Sequence, residues 1–173
     1  FAPFIKAQEA VVVAGADKMG VDPKFLAFFL YHSLRPSFCS CAARLADHLE
    51  SSPSGEQGYC PVCGSPPAIA WIGDQGQRHL FCSFCWHKWP VNRALCPFCG
   101  NRGEEGLLYF YSEEEKEYRL DACPACRRYV KAVDTRMLRR FGYPALEQVA
   151  SLHLDLKAVE AGYTAAAPTR LHD

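Results

Sequence analysis

Apolar positions divide the chain into three patterns. Over the first fifty residues they recur at helical spacing. Ile5, Val12 and Val13 mark the inward side of a helix over residues 1–20 that stops near Gly20. Asp22 followed by Pro23 is a helix start, an N-cap carboxylate with proline in the first helical position. Phe25, Phe28 and Phe29 then repeat at i, i+3 and i+4, and Leu26 and Leu30 form an adjoining stripe. A helix apolar over most of its circumference is expected to be buried. After Arg35-Pro36 the pattern predicts a third helix, with Phe38, Cys41, Ala42, Leu45 and Leu49 on one face. Residues 51–58, rich in Ser, Gly and Pro, read as a linker.

Beyond residue 58 the pattern changes to short runs bounded by turns, and it occurs twice. The first copy has an apolar run at 68–72, a turn over 73–76, a return strand at 78–82 and a further stretch over 86–93. The second copy has strands at 107–111 and 118–123 around the acidic tip Glu113-Glu114-Glu115, and a last strand at 127–133. That tip reads as a solvated turn. Helical spacing returns at Pro144, where Leu146, Val149, Leu152, Leu156 and Val159 predict a docking stripe. Gly162 is the predicted stop, and residues 164–173 are expected to fray. The reading is an α+β chain with a helical part at 1–55, two tandem β units at 56–94 and 95–134, and a C-terminal helix with its tail at 135–173. Only Ala94 and Leu95 separate the two copies, which must therefore abut.

Each copy carries two Cys-x-x-Cys pairs, and these account for eight of the ten cysteines. They are Cys60 and Cys63, Cys82 and Cys85, Cys96 and Cys99, and Cys123 and Cys126. A short turn can aim two sulfurs and its own N–H groups at one ion, and a second turn brought back by a hairpin completes a tetrahedral set. The spacings Cys-x2-Cys-x18-Cys-x2-Cys and Cys-x2-Cys-x23-Cys-x2-Cys predict two four-sulfur sites, one per copy. Disulfides or a thioredoxin-like dithiol are the alternatives. Copies of about 40 residues seldom hold a sufficient core. Metal binding, with an apparent free energy of about 10–16 kcal/mol per structural zinc, is comparable to or larger than a typical domain's whole net stability of about 5–15 kcal/mol. Cys39 and Cys41, at i and i+2 on a helix, diverge and read as small buried apolar residues, with a labile thiol as the alternative.

Composition narrows the function classes. Hydrophobic residues make up 49% of the 173-residue chain and aromatics 13%, enough for a real core. Lys plus Arg equals Asp plus Glu at 19 each, so no excess of positive charge invites nucleic acid or anionic lipid. No apolar run is long enough to span a membrane, and no insertion is expected. Thiolates kept for metal imply a reducing compartment, favouring the cytoplasm. The chain opens on Phe1, which suggests a processed or truncated chain.

The ordered string Cys60-Pro-Val-Cys-Gly-Ser-x-Pro, Arg78-x-Leu-x-Cys-Ser-x-Cys, Trp89-x-Val-x-Arg93, Cys96-x-x-Cys99, Tyr109, Cys123-x-x-Cys126 and Tyr129-Val-Lys131 resembles the FdhE family of formate dehydrogenase accessory proteins. Leu152, Leu154, Asp155 and the closing Glu160-Ala-Gly162-Tyr163 resemble that family's C-terminal helix. The motifs cover residues 58–163, and the first fifty residues agree only in helical character. The resemblance implies rubredoxin-like ribbons that bind iron in a cytoplasmic maturation factor, which contacts the catalytic subunit of formate dehydrogenase. Phe81 and Pro90 stand where members often carry histidine, and the cysteine set is unaffected.

Four thiolates suit iron or zinc, and the resemblance favours iron. Iron in such a cage can cycle by one electron, tuned by N–H···S bonds and the aromatic residues Tyr59, Trp71, Phe84, Trp86 and Phe98. The six histidines are scattered without a nucleophile partner, so no catalytic residue is assigned and the chain is not read as an enzyme. His87 reads as an exposed structural histidine, or else as a donor or substitute ligand near the metal. Arg78, Trp89, Arg93 and Tyr109 recur in the family-like pattern and are expected either to form a partner-recognition surface or to pack the hairpins. Two readings follow: an assembly factor that binds an immature enzyme subunit, and a rubredoxin-like redox or thiol-active protein that donates electrons or sulfur to it. Four protein ligands leave no open position for substrate, which favours the first.

Overall fold

Asp22 starts a helix as expected: its Oδ1 accepts the backbone N–H groups of Lys24 at 2.7 Å and Phe25 at 3.2 Å. In a computed structural model of the chain, which describes residues 2–50, 58–102, 106–111 and 114–166, this helix is α2 (Pro23–Glu50), preceded by α1 (Ala2–Met19). The linker at 51–57, the tip residue Glu113 and the side chain of Ile5 lie outside the described residues.

α2 runs through Pro36 without a break, so the two helices expected on either side of it are one. A proline removes one intrahelical donor, but here both sides of it are tied to the same turn. The Tyr31 hydroxyl donates to the Ser83 carbonyl at 2.8 Å, and the rings of Tyr31 and Phe38 lie 4.9 and 5.2 Å from that of Phe84. The expected burial of the phenylalanine stripe is not found. Phe25, Phe28 and Phe29 are 56%, 55% and 50% exposed. Among the described side chains of α1 and α2, the buried ones are Ala16 and Ala42. Cys41 is exposed and Cys39 half-buried, so neither is the buried apolar residue expected.

The two cysteine-rich copies build one sheet. The first supplies β1 (Pro67–Ile72), β2 (Arg78–Cys82) and β3 (Lys88–Val91), and the second β4 (Leu108–Tyr111), β5 (Tyr118–Ala122) and β6 (Arg128–Asp134). The strand order is β3-β2-β1-β6-β5-β4, antiparallel within each copy. The join is a parallel pairing of β1 with β6, Ala70 opposite Ala132 and Ile72 opposite Asp134. One face carries Ala70, Ile72, Leu80, Trp89, Val130 and Ala132, with Ala42 of α2 buried against it. The other carries Ile69, Phe81, Leu120, Tyr129 and Val133, with Leu154 and Ala158.

The helix predicted from Pro144 is two, α3 (Pro144–Ala150) and α4 (Leu152–Glu160), broken where the Ser151 hydroxyl donates to the Glu147 carbonyl at 2.6 Å. The predicted docking stripe faces outward: Leu146, Val149, Leu152, Leu156 and Val159 are all exposed. The buried stripe is Glu147, Ser151, Leu154 and Ala158, also at helical spacing but half polar. Polar anchors explain the choice. Glu147 accepts from the Tyr118 hydroxyl at 2.6 Å and from Arg140, and Lys131 donates to the Gln148 carbonyl at 2.8 Å, capping α3, and to Asp155 at 2.7 Å. Arg140 holds the Glu147 carboxyl below the usual range, and burial lowers the Lys131 ammonium. After Gly162, β7 (Thr164–Ala165) pairs in parallel with β6, so Thr164 and Ala165 are not frayed.

Candidate metal centres

All four Cys-x-x-Cys segments fold into the same turn. The N–H of the first cysteine donates to the carbonyl five residues on: Cys60 to Ser65 at 2.9 Å, Cys82 to His87 at 3.0 Å, Cys96 to Asn101 at 3.1 Å and Cys123 to Arg128 at 2.8 Å. The fifth residue of each turn must adopt positive φ. Two turns use glycine, Gly64 at 73° and Gly100 at 69°, and two use larger residues, Trp86 at 58° and Arg127 at 55°. Glycine meets that angle without strain and an L side chain does not. Trp86 and Arg127 gave no signal as isolated residues. Aligning the four turns on their cysteines would have found both.

The turns bring the eight cysteines into two groups, Cys60, Cys63, Cys82 and Cys85, and Cys96, Cys99, Cys123 and Cys126, with sulfurs within 4.8 Å of one another in each. In the first group, Cys60 to Cys85 is 3.5 Å, Cys63 to Cys82 3.3 Å and Cys63 to Cys85 3.6 Å. In the second, Cys96 to Cys126 and Cys99 to Cys123 are both 3.7 Å. A disulfide would need about 2.05 Å, and all ten cysteines are free. Tetrahedral ligands at about 2.3 Å from a zinc or iron ion stand about 3.8 Å apart. Both donor sets therefore fit one tetrahedral ion each, and four soft thiolates suit iron or zinc. N–H groups of Phe84 and Cys85 point at the Cys82 sulfur at 3.3 and 3.4 Å, and the Asn101 amide points at Cys123 at 3.9 Å.

The electrostatics differ between the groups. Hydrogen bonds among the four sulfurs of the first split them, lowering the Cys63 and Cys82 thiols and raising Cys60 and Cys85. In the second, burial raises Cys96 and Cys126. Burial also pushes the Cys123 thiol up, but the N–H groups of Cys126 and Ala125 outweigh it and leave it lowered to about 7.

The four residues expected at a recognition surface are not brought together. Arg78 and Trp89 are buried, so neither is part of a surface. Trp89 packs in the core against His87, whose ring is parallel at 6.3 Å. Arg93 is exposed beside Gly76 at the β2 end, and Tyr109 lies on the opposite edge strand under the Arg119 guanidinium at 4.8 Å. His87 is buried rather than exposed, and its carbonyl serves the second turn.

The family model of the FdhE central domain matches residues 59–93, the first four-cysteine unit. The "Protein FdhE homolog" of Aquifex aeolicus is 37% identical over 150 residues, which cover 83% of this chain and 51% of that protein. The homolog of Shewanella baltica is 27% identical over 146 residues, 83% of this chain and 48% of that one. The crystal structure of the FdhE protein from Pseudomonas aeruginosa superposes with a TM-score of 0.71 at 29% identity, over 83% of this chain and 50% of that one. The chain belongs to the FdhE family. It spans about half the length of the curated FdhE relatives it matches. The second four-cysteine group lies beyond the FdhE central-domain match, yet it repeats the first in every turn.

Proposed function

We propose that this FdhE-family chain is a metal-binding accessory protein for formate dehydrogenase, acting in the cytoplasm by binding the catalytic subunit without turning over a substrate. The observation that carries it is the pair of four-sulfur groups at 3.3 to 3.7 Å. A cage closed by four protein thiolates stabilises a fold and offers no position to a reactant. In this reading Cys60, Cys63, Cys82 and Cys85 hold one ion and Cys96, Cys99, Cys123 and Cys126 the other, iron in preference to zinc. Residues 56–94 and 95–134 are the two rubredoxin-like units. The exposed Phe25, Phe28 and Phe29 of α2 support a binding role, because neighbouring apolar side chains left in water favour a partner that covers them.

A second reading rests on Cys99, the one exposed cysteine of the eight: iron at that site would exchange electrons with a client. No helix among the described residues is long and apolar enough to cross a membrane. The test is a pull-down of immature formate dehydrogenase catalytic subunit under aerobic and anaerobic conditions. Recovery of a complex supports the binding reading, and its absence under both conditions removes it. A reversible visible-band change on adding dithionite supports the second reading. Colourless zinc protein with full maturation activity removes that one.

A further inference from the structure

On the sheet face away from α4, ionic side chains meet with a charge left over. Asp121 lies opposite Val130, Arg119 opposite Ala132 and Tyr109 opposite Asp121, so all three share the face that carries Leu80 and Ala70. Arg119 donates to Asp121 through Nε at 2.7 Å and Nη2 at 3.4 Å. Arg78 reaches the same carboxylate from β2, its Nη2 3.2 Å from Oδ2. One carboxylate thus lies between the two guanidinium groups, and the other acid on this face, Asp134, is paired with Arg136. Asp121 and Arg119 are both buried, and Arg78 is 1% exposed. The Nη2 contact is an ion pair without hydrogen-bond alignment, and among the described residues neither Nε nor Nη1 of Arg78 has a hydrogen-bond partner.

A buried guanidinium with unmet donors is unfavourable unless an acceptor is supplied, and native proteins that keep one commonly hold an ion or water there. Water would satisfy the donors but leave the charge. An oxyanion answers both, and the planar fork of arginine fits one through two parallel bonds. The cluster itself is buried, and beside it at the β4 edge Tyr109 and Tyr111 are exposed on the same face, with the Tyr109 ring under Arg119.

We propose that Arg78 and Arg119, with Asp121 between them, form a site for one small oxyanion, a carboxylate or a tetrahedral phosphate or sulfate, entered past Tyr109. The site is separate from both four-cysteine groups and does not depend on the metal reading. Calorimetric titration of the chain with sodium formate, phosphate and sulfate in low-chloride buffer tests it, with far-UV circular dichroism to confirm that each variant is folded. Saturable one-site binding is expected. Formate alone would identify a planar carboxylate site, and phosphate or sulfate a tetrahedral one. Arg78→Met should weaken binding about tenfold or more, since one charge-assisted contact is worth that much. Asp121→Asn removes the competing carboxylate and should tighten it. Absence of saturable binding by all three anions in the unsubstituted chain overturns the proposal, as does affinity unchanged in Arg78→Met.

Discussion

The two four-cysteine sites share one turn geometry but are set differently in the molecule. In the first, three cysteines are buried, the fourth is half-buried, and the sulfurs approach to 3.3 Å beside a core that includes Leu80, Trp89 and Val130. In the second, Cys99 is exposed and the local core is Cys96, Leu107 and Cys123 with Phe98 and Cys126 beside it. Each site grips a different helix through the strained position of its second turn. Arg35 of α2 lies over Trp86 at 5.2 Å, whereas Arg127 donates to the Ala161 carbonyl at 2.9 Å and covers the Tyr163 ring at 4.3 Å. A left-handed L residue costs about 1–2 kcal/mol. The contacts made by Trp86 and Arg127 offset it, while Gly64 and Gly100, which grip nothing there, avoid it.

The largest expected effect separates the sites by burial. Cys82→Ser should abolish metal at the first site and melt β1 to β3, because loss of a fully buried ligand forfeits most of the apparent ~10–16 kcal/mol of a structural site, whereas water can replace an exposed one. Cys99→Ser should leave the first site loaded and the cooperative melt largely intact, as seen by circular dichroism with metal analysis. Equal losses for the two variants would mean that the sites do not differ in this way.

Chelation should show the same asymmetry more mildly. A slow excess of chelator should remove metal in two phases, the second site first through its exposed Cys99, followed by a coloured chelator at fixed pH. A single phase for both ions would erase the distinction.

The cysteine pattern was legible because a ligand-bearing turn fixes spacing and residue type together. The strand positions followed from the same repeat. Other features depended on partners distant in sequence. Arg78 reads as an exposed charge until Asp121, on a strand from the other copy, is placed beside it. Pro36 reads as a helix end until Tyr31 and Phe38 are seen on one anchor, Phe84. In the last helices the apolar stripe was the stronger pattern, but Glu147, Ser151, Leu154 and Ala158 met Tyr118, Lys131 and the sheet, and polar docking leaves little mark on hydropathy.

The helix anchors can be compared directly. Arg127→Ala should raise amide exchange in α4 and β7 and leave α2 unchanged, at a cost of about 1–2 kcal/mol as two carbonyl bonds and a ring contact are lost. Trp86→Ala should raise exchange most in α2, with a smaller rise at the α4-side cluster against which Trp86 also packs. Exchange spread evenly over both helices would show that the turns do not act separately.

The smallest effect is a difference in acid sensitivity. Glu147 has its carboxyl lowered by Arg140, so the stability it adds to α3 is complete above the ordinary glutamate value of about 4.3 and is lost as pH falls through the lower folded value. α2, held to the first site by aromatic contacts, should show no such step in amide exchange.

Metal content per chain after anaerobic purification, read together with X-ray absorption at the metal edge, bears most directly on the paired thiolate cages. Two equivalents, each surrounded by four sulfurs at about 2.3 Å, is the predicted result. Near-zero metal with titratable disulfides among the eight cysteines would contradict it.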